Sequence, residues 1–483
     1  MTLNFTLLMG VFVIYTAMLF LLSWFTSRKA DDSAFFKAGN KAPWFIVAYG
    51  MIGTSISGVT FISVPGQVFT DNFYYMPMIL GFVVGYAIIA LVLVPLYFRL
   101  KVTSIYSYLE QRFGFFSYKT GSAFFILSRV LGAAVRVYVV VLVLFMFIPK
   151  EMNVPFWVVA SIFMALIFLY TRKGGIKTII WTDTLQTTFM VTAVVVTIYA
   201  VSKELGFGLG EMFGNIRDAG YTKMVNWDWS ASRNIVKQFV GGTFVAVAMT
   251  GLDQEMMQKT ISIDGAKAAR KSMLTLGGTM VIINYIFLLL GAVLALYVSK
   301  HGGLAGMGLE KTDQIFVSVA TEHLGSIAIA MIFAVGLISA AYPSAAGALV
   351  SLTTAWCVDF AGFKHRADLI NDEAKRKRIR NRTHSIFTLI FIAIIVILHL
   401  ISNDAVIVLV YKIASYTYGP LLGLFFFGIL TRCQVHDRAI PYIAIASPII
   451  CFFIQQYVFD FGFSLLIVNG VLTFFGMWLF KKR

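Results

Sequence analysis

The 483-residue chain is 59% hydrophobic and only 13% charged, against roughly 25% charged residues in soluble domains, which excludes a water-soluble globular protein. A net charge of +16 would suit nucleic acid, but the Lys and Arg residues sit in short gaps between apolar runs; the charge reads as membrane topology, with no nucleic-acid partner. Three scattered cysteines, Cys357, Cys433 and Cys451, and six dispersed histidines exclude a disulfide framework and a zinc cluster.

Apolar runs of about 20 residues mark membrane helices. Thirteen are expected, centred near residues 15, 56, 87, 133, 163, 190, 244, 285, 338, 392, 418, 449 and 471. The first, Phe5 to Phe25, is longer than a signal-peptide core and has no A-x-A exit, so it is expected to stay as an anchor. The first gap is basic (Arg28, Lys29, Lys37, Lys41), the second (Thr70 to Phe73) is not, and the sides alternate thereafter. Lys259, Lys267, Arg270 and Lys271 fall in one of the basic gaps, and eight basic residues between Lys364 and Arg382 in another. The positive-inside rule then places the N-terminus outside and the C-terminus in the cytoplasm. The run from Lys364 to Arg382 reads as a solvated cytoplasmic helix or a contact with anionic lipid.

The second span is the unusual one. Within an apolar stretch from Ala42 to Phe69 it carries Gly50, Gly53, Gly58, Gly66, Pro65 and a series of Ser and Thr residues. At membrane depth such a sequence suits an interrupted helix lining a wet site, as in secondary transporters, or close helix packing. A break is expected between Gly53 and Gly58, facing Ala340 to Ser344. The seventh span, Asn234 to Asp253, holds Gly241-Gly242 and Thr250-Gly251 at the corresponding position if the chain contains two five-helix halves of inverted topology. This gives an N-terminal additional helix (1–30), a first repeat (42–202), an outer loop (203–233), a second repeat (234–430) and two C-terminal helices (438–483).

Charge inside a span is costly and marks function by default. Arg136, Asp183, Lys412 and Arg129 fall within or at the edge of spans. Arg136 is expected to meet a solute carboxylate bidentately or, on the plainer reading, to pair with Asp183. Lys412 is expected to snorkel. Tyr74, Tyr75, Tyr138, Tyr416 and Tyr418 are candidate cavity aromatics or interfacial anchors. The ninth span, Gly336 to Thr354, is rich in small and hydroxyl residues that suit a hard cation. No hydrolytic triad, P-loop or zincin pattern is present, so an enzyme is not expected. A passive channel or a transporter-like sensor is the rival reading.

Four motifs carry a family resemblance: T-S-I-Y-S-Y-L-E-Q-R-F-G (Thr103 to Gly114), G-G-I-K-T-I-I-W-T-D-T-L-Q (Gly174 to Gln186), D-Q-E-M-M-Q-K (Asp253 to Lys259) and Y-G-P-L-L-G-L-F (Tyr418 to Phe425). In this order and spacing the chain resembles the sodium/solute symporter family over nearly its whole length. The resemblance implies an all-α integral membrane fold of about 13 transmembrane helices with a LeuT-like 5+5 inverted repeat. It also implies Na+ as coupling ion, held by carbonyls of Gly53 and Ile56 and by Ala340, position 343 and Ser344. Position 343 is Pro343, which has no hydroxyl, so that site is expected to be weakened. A further sodium site in some members corresponds to Ala346, Gly347 and Asp183, where only the aspartate keeps an oxygen ligand. Ser57, Thr60, Tyr74, Tyr75, Arg136 and Tyr138 are the expected solute contacts. Around Thr60, Tyr74 and Tyr75 the acidic and amide residues of the sugar-binding members are absent, so sugar is not the first expected cargo. The function implied is sodium-coupled symport of a small polar, anionic organic solute by alternating access. The alternative within the resemblance is a sodium-independent transporter or exchanger. Small solute and lipid bilayer are the expected partners, and the sequence leaves oligomeric state open.

Overall fold

The computed structural model describes residues 5–28, 32–146, 148–231, 233–363, 366–370, 372–401, 406–457 and 461–482. Among them there is no strand, only isolated bridges between Ala42 and Ile263 and between Val435 and Lys481. The principal helices are α1 (Phe5–Ser27), α2 (Trp44–Ser55), α3 (Gly58–Asp71), α4 (Met76–Arg99), α5 (Phe115–Met146), α6 (Phe156–Glu204), α7 (Ile235–Gly251) and α8 (Gln254–Ile261). They continue with α9 (Ala266–Lys300), α10 (Ile327–Phe360), α11 (Glu373–Ile401), α12 (Val406–Leu430), α13 (Ile440–Tyr457) and α14 (Leu465–Leu479). Nine helices among the described residues are long and apolar enough to cross a bilayer, and eleven crossings result if each of two bent pairs counts as one. Thirteen would further require α6, 49 residues long, to cross on both sides of its bend, and the 15-residue α14 to cross as well.

That bend has a local cause. No polar loop separates the runs expected near residues 163 and 190; instead α6 turns at Gly175, whose φ of 52° and ψ of −132° are open to glycine. Arg172, Lys173 and Lys177 cluster at the turn.

The two bent pairs organise the core. Helices α2 and α3 meet at 62°, and α7 and α8 at 66°. The first break falls inside the expected window, at Ile56 (φ −93°, ψ 91°) and Ser57 (φ −79°, ψ 172°), both extended. The close-packing reading of the same glycines also holds, because a Cβ on Gly53 would collide with Thr187 and one on Gly58 with Val140. The second break lies at Leu252 and Asp253, just past Thr250-Gly251. Gly241-Gly242 stays helical, where Gly242 packs on the Met78 carbonyl. Asp253 caps the new helix, accepting from the backbone N–H groups of Glu255 (2.9 Å) and Met256 (3.1 Å).

Helix α10 packs along α6 and against both α2 and α3, so the hydroxyl-rich ninth span does meet the broken second span. At its end, Asp359 is buried and accepts from Ser104 (2.8 Å), Tyr118 (2.8 Å) and Ser122 (2.7 Å), tying α10 to the Thr103 to Gly114 motif and to the start of α5. The charge run is helical from Glu373 and largely exposed, except for Arg380, which lies over Phe35 at 4.4 Å. Its first residue, Lys364, lies outside the described residues.

Candidate solute and cation site

A cavity with about 830 Å³ of empty space, counting its mouth, opens at the break in the second span. Thr54, Ser55, Ile56, Ser57 and Thr60 form one wall, Tyr75, Phe82 and Tyr86 another, and Arg129 and Arg136 a third. The two arginines sit seven residues apart on α5, two helical turns, and so present guanidinium groups to the same space. Of the expected solute contacts, Ser57, Thr60, Tyr75 and Arg136 line this cavity. Tyr74 and Tyr138 do not; Tyr138 instead packs on Phe156 and His399. Phe82, Tyr86, Met249 and Asn284 line it without having been singled out by the sequence, and Thr250, singled out only as part of a break, lines it too.

Behind the cavity wall lies a connected set of buried charges. Arg129 Nη2 pairs with Glu255 Oε2, and Nη1 lies 3.5 Å from Asp253 Oδ2, which also accepts from Tyr418 at 2.5 Å. The other carboxylate oxygen of Glu255 is 3.2 Å from Lys259 Nζ. Lys259 in turn donates to Asp183 Oδ2 (2.6 Å) and Thr54 Oγ1 (2.5 Å), and Thr54 donates to the same aspartate oxygen at 3.0 Å. The set runs unbroken from the solute cavity to the inner edge of the break. Arg129 Nε and Asp183 Oδ1 are buried without a hydrogen-bond partner among the described residues.

Two sequence expectations are corrected here. The ion partner of Asp183 is Lys259, not Arg136. Lys259 itself, read as one of the basic gap residues that set topology, is 1% exposed, because the chain continues past Asp253 as the buried helix α8 instead of leaving the protein there. The signal was present in D-Q-E-M-M-Q-K, where Glu255 and Lys259 stand four apart on one helix face.

Of the residues to which the resemblance assigns sodium, Gly53, Ile56 and Asp183 lie together. Gly53 N donates to Thr187 Oγ1 (3.1 Å), which donates to the Asp183 carbonyl (2.8 Å). Ala340 and Ser344 are buried on α10, and the Ser344 hydroxyl has no partner among the described residues. Pro343 sits within the continuous helix. Lys412 is exposed.

Comparison with known proteins agrees with this geometry. A profile described as the Sodium:solute symporter family matches residues 35–436. The chain is 25% identical to the sodium/sialic acid symporter SiaT of Proteus mirabilis over 97% of this chain and 92% of that one. It is 23% identical to the sodium/sialic acid symporter NanT of Aliivibrio fischeri over 85% and 80% respectively. Its fold is similar to that of a Na+-coupled sialic acid symporter in a substrate-bound outward-open state, with a TM-score of 0.84, 22% identity and 99% of both chains covered. The fold of the nucleobase-cation-symport transporter Mhp1 is also similar, with a TM-score of 0.55 at 16% identity over 93% of this chain and 94% of that one.

Proposed function

We propose, from the premise that the chain belongs to the sodium:solute symporter family, that it carries a small organic carboxylate inward with sodium by alternating access. It is a membrane transporter and not an enzyme, and Na+ is its coupling ion. The observation that supports an anionic cargo is the pair of guanidinium groups, Arg129 and Arg136, facing one cavity beside the interrupted helix. Guanidinium is the side chain best suited to a carboxylate, since two parallel N–H donors match its two oxygens. Arg136 is the proposed carboxylate anchor, with Ser57, Thr60 and Tyr75 holding the polar remainder. Sodium is assigned to the carbonyls of Gly53 and Ile56 with Ala340 and Ser344.

In this reading residues 42–202 and 234–430 are the two inverted repeats, and their relative movement exposes the site to each side in turn. The basic gaps support a cytoplasmic C-terminus and an N-terminus outside the inner membrane. Sialic acids, as carboxylated sugars carried by the two bacterial relatives, are the first cargo to test. Uptake of radiolabelled sialic acid, and then of a panel of monocarboxylates, into proteoliposomes with and without an inward sodium gradient is the deciding experiment. Saturable, sodium-driven accumulation is expected. Sodium current without solute saturation would show a channel instead.

A further inference from the structure

We infer that Lys259 is a built-in cation: its ammonium fills a cation seat formed by Asp183 Oδ2, Thr54 Oγ1 and Glu255 Oε1, so that no sodium ion takes that seat in this chain. The inference rests on the proposed sodium coupling only in its consequence, that the carrier moves one sodium fewer per solute than a chain with that seat open.

The geometry is that of an ion in a cage. Three oxygens from three helices surround Nζ: Asp183 Oδ2 of α6 at 2.6 Å, Thr54 Oγ1 of α2 at 2.5 Å and Glu255 Oε1 of α8 at 3.2 Å. They match the three donors of an ammonium one for one. All are hard oxygen donors of the kind a small cation takes, and every side chain in the group is buried. An ammonium in such a place is tolerated only when fully paired, which this one is.

An oxygen remains for a larger coordination sphere: Asp183 Oδ1 is buried without a hydrogen-bond partner among the described residues. The seat also adjoins the break: Thr54 lies two residues before Ile56, and Thr187 joins the Gly53 amide to the Asp183 carbonyl. A charge fixed here stabilises the bent span without having to bind and leave in each cycle.

The test is to remove the ammonium and look for a sodium ion in its place. Equilibrium binding of radioactive sodium to purified full-length protein is measured for the wild type, Lys259→Ala, Lys259→Arg and the double variant Lys259→Ala with Asp183→Asn. Lys259→Ala is expected to bind one more sodium than the wild type, and the double variant to lose that gain. Lys259→Arg, which keeps a tethered cation, is expected to match the wild type. No added sodium in a Lys259→Ala protein that elutes as a folded monodisperse species would overturn the inference. Should that variant not fold, Asp183→Asn alone still decides. Unchanged sodium affinity supports the built-in cation, and a tenfold or greater loss shows that Asp183 already holds sodium and overturns it. Wild type binding no sodium at all would count against the sodium site at Ile56, and the gain in Lys259→Ala would still report on the seat itself.

Discussion

The carboxylate of Glu255 occupies the space that a side chain at Gly347 would fill. A Cβ built at that position collides with Oε1, Cδ and Oε2 of the glutamate, whose two oxygens are already committed to Arg129 and Lys259. The glutamate has nowhere to retreat without giving up an ion pair. Gly347→Ala is therefore expected to cost about 1–3 kcal/mol, the usual price of overpacking a filled core. Gly278→Ala, on α9 with open space around it, is the control and should be neutral or slightly stabilising, since alanine is the better helix former. Thermal unfolding in detergent compares the two.

Arg129 and Arg136 line one cavity but differ in what they hold. Arg129 is locked to Glu255, so Arg129→Ala leaves a buried carboxylate short of a partner and is expected to destabilise the protein by about 3–5 kcal/mol. Removing both charges in Arg129→Leu with Glu255→Leu should recover part of that loss, a coupling that a double-mutant cycle measures. Arg136→Ala should raise the apparent KM for the carboxylate about 10- to 100-fold, as loss of a charged hydrogen bond of about 1.5–3 kcal/mol implies. If the two variants exchange these phenotypes, the assignment of Arg136 as the anchor is wrong.

The broken span was legible because glycine, proline and hydroxyl residues are conspicuous in an apolar run, and the break appears at Ile56 and Ser57 as the spacing required. Arg129, Arg136 and Asp183 were legible for the same reason, as ionisable groups in hydrocarbon. Lys259 was not, because it follows a polar stretch that hydropathy reads as a loop. Only the 66° bend after Gly251 turns that stretch inward and surrounds it with protein. Tyr74 and Tyr138 stand outside the cavity lining for reasons that sequence does not encode: Tyr74 sits in the turn between α3 and α4, and Tyr138 leaves α5 toward Phe156 and His399. The single α6 was missed because three basic residues around Gly174-Gly175 look like a loop, whereas one glycine at positive φ makes the turn within a helix.

Asp313 lies between α9 and α10, outside the spans, where burial raises its carboxyl above the usual 3.8 and the Ser63 hydroxyl of α3 opposes that shift. An acid whose folded-state pKa is raised binds its proton more tightly when folded. Its ionised form weakens the folded state, and the weakening sets in as pH rises from the unfolded value through the raised one. Acidification through that window should tighten the segment around Gln314–Ser318 against α3. Hydrogen exchange of that segment is expected to slow at acid pH in the wild type and to be pH-independent, beyond intrinsic chemistry, in Asp313→Asn. Equal pH dependence in both would remove Asp313 as the cause.

Pro343 bears on the sodium site at two levels that one substitution separates. Its ring nitrogen cannot donate, so the Ser339 carbonyl one turn earlier loses its helical partner, while the Ser339 hydroxyl is engaged with Tyr15 at 2.9 Å. The adjacent Ser344 hydroxyl is buried without a partner among the described residues, so the proposed site has one hydroxyl there and none at position 343. A small cation gains from each added hard oxygen. Pro343→Ser is thus expected to tighten apparent sodium affinity about fivefold, taking one ligand as about 1 kcal/mol. The same change restores a backbone donor inside α10 and should stabilise the helix even without sodium. Unfolding measured in sodium-free and sodium-containing buffer divides the two contributions. A rise in stability that is equal in both buffers, with sodium affinity unchanged or lower, would mean that Pro343 shapes the helix alone and that position 343 offers sodium no ligand.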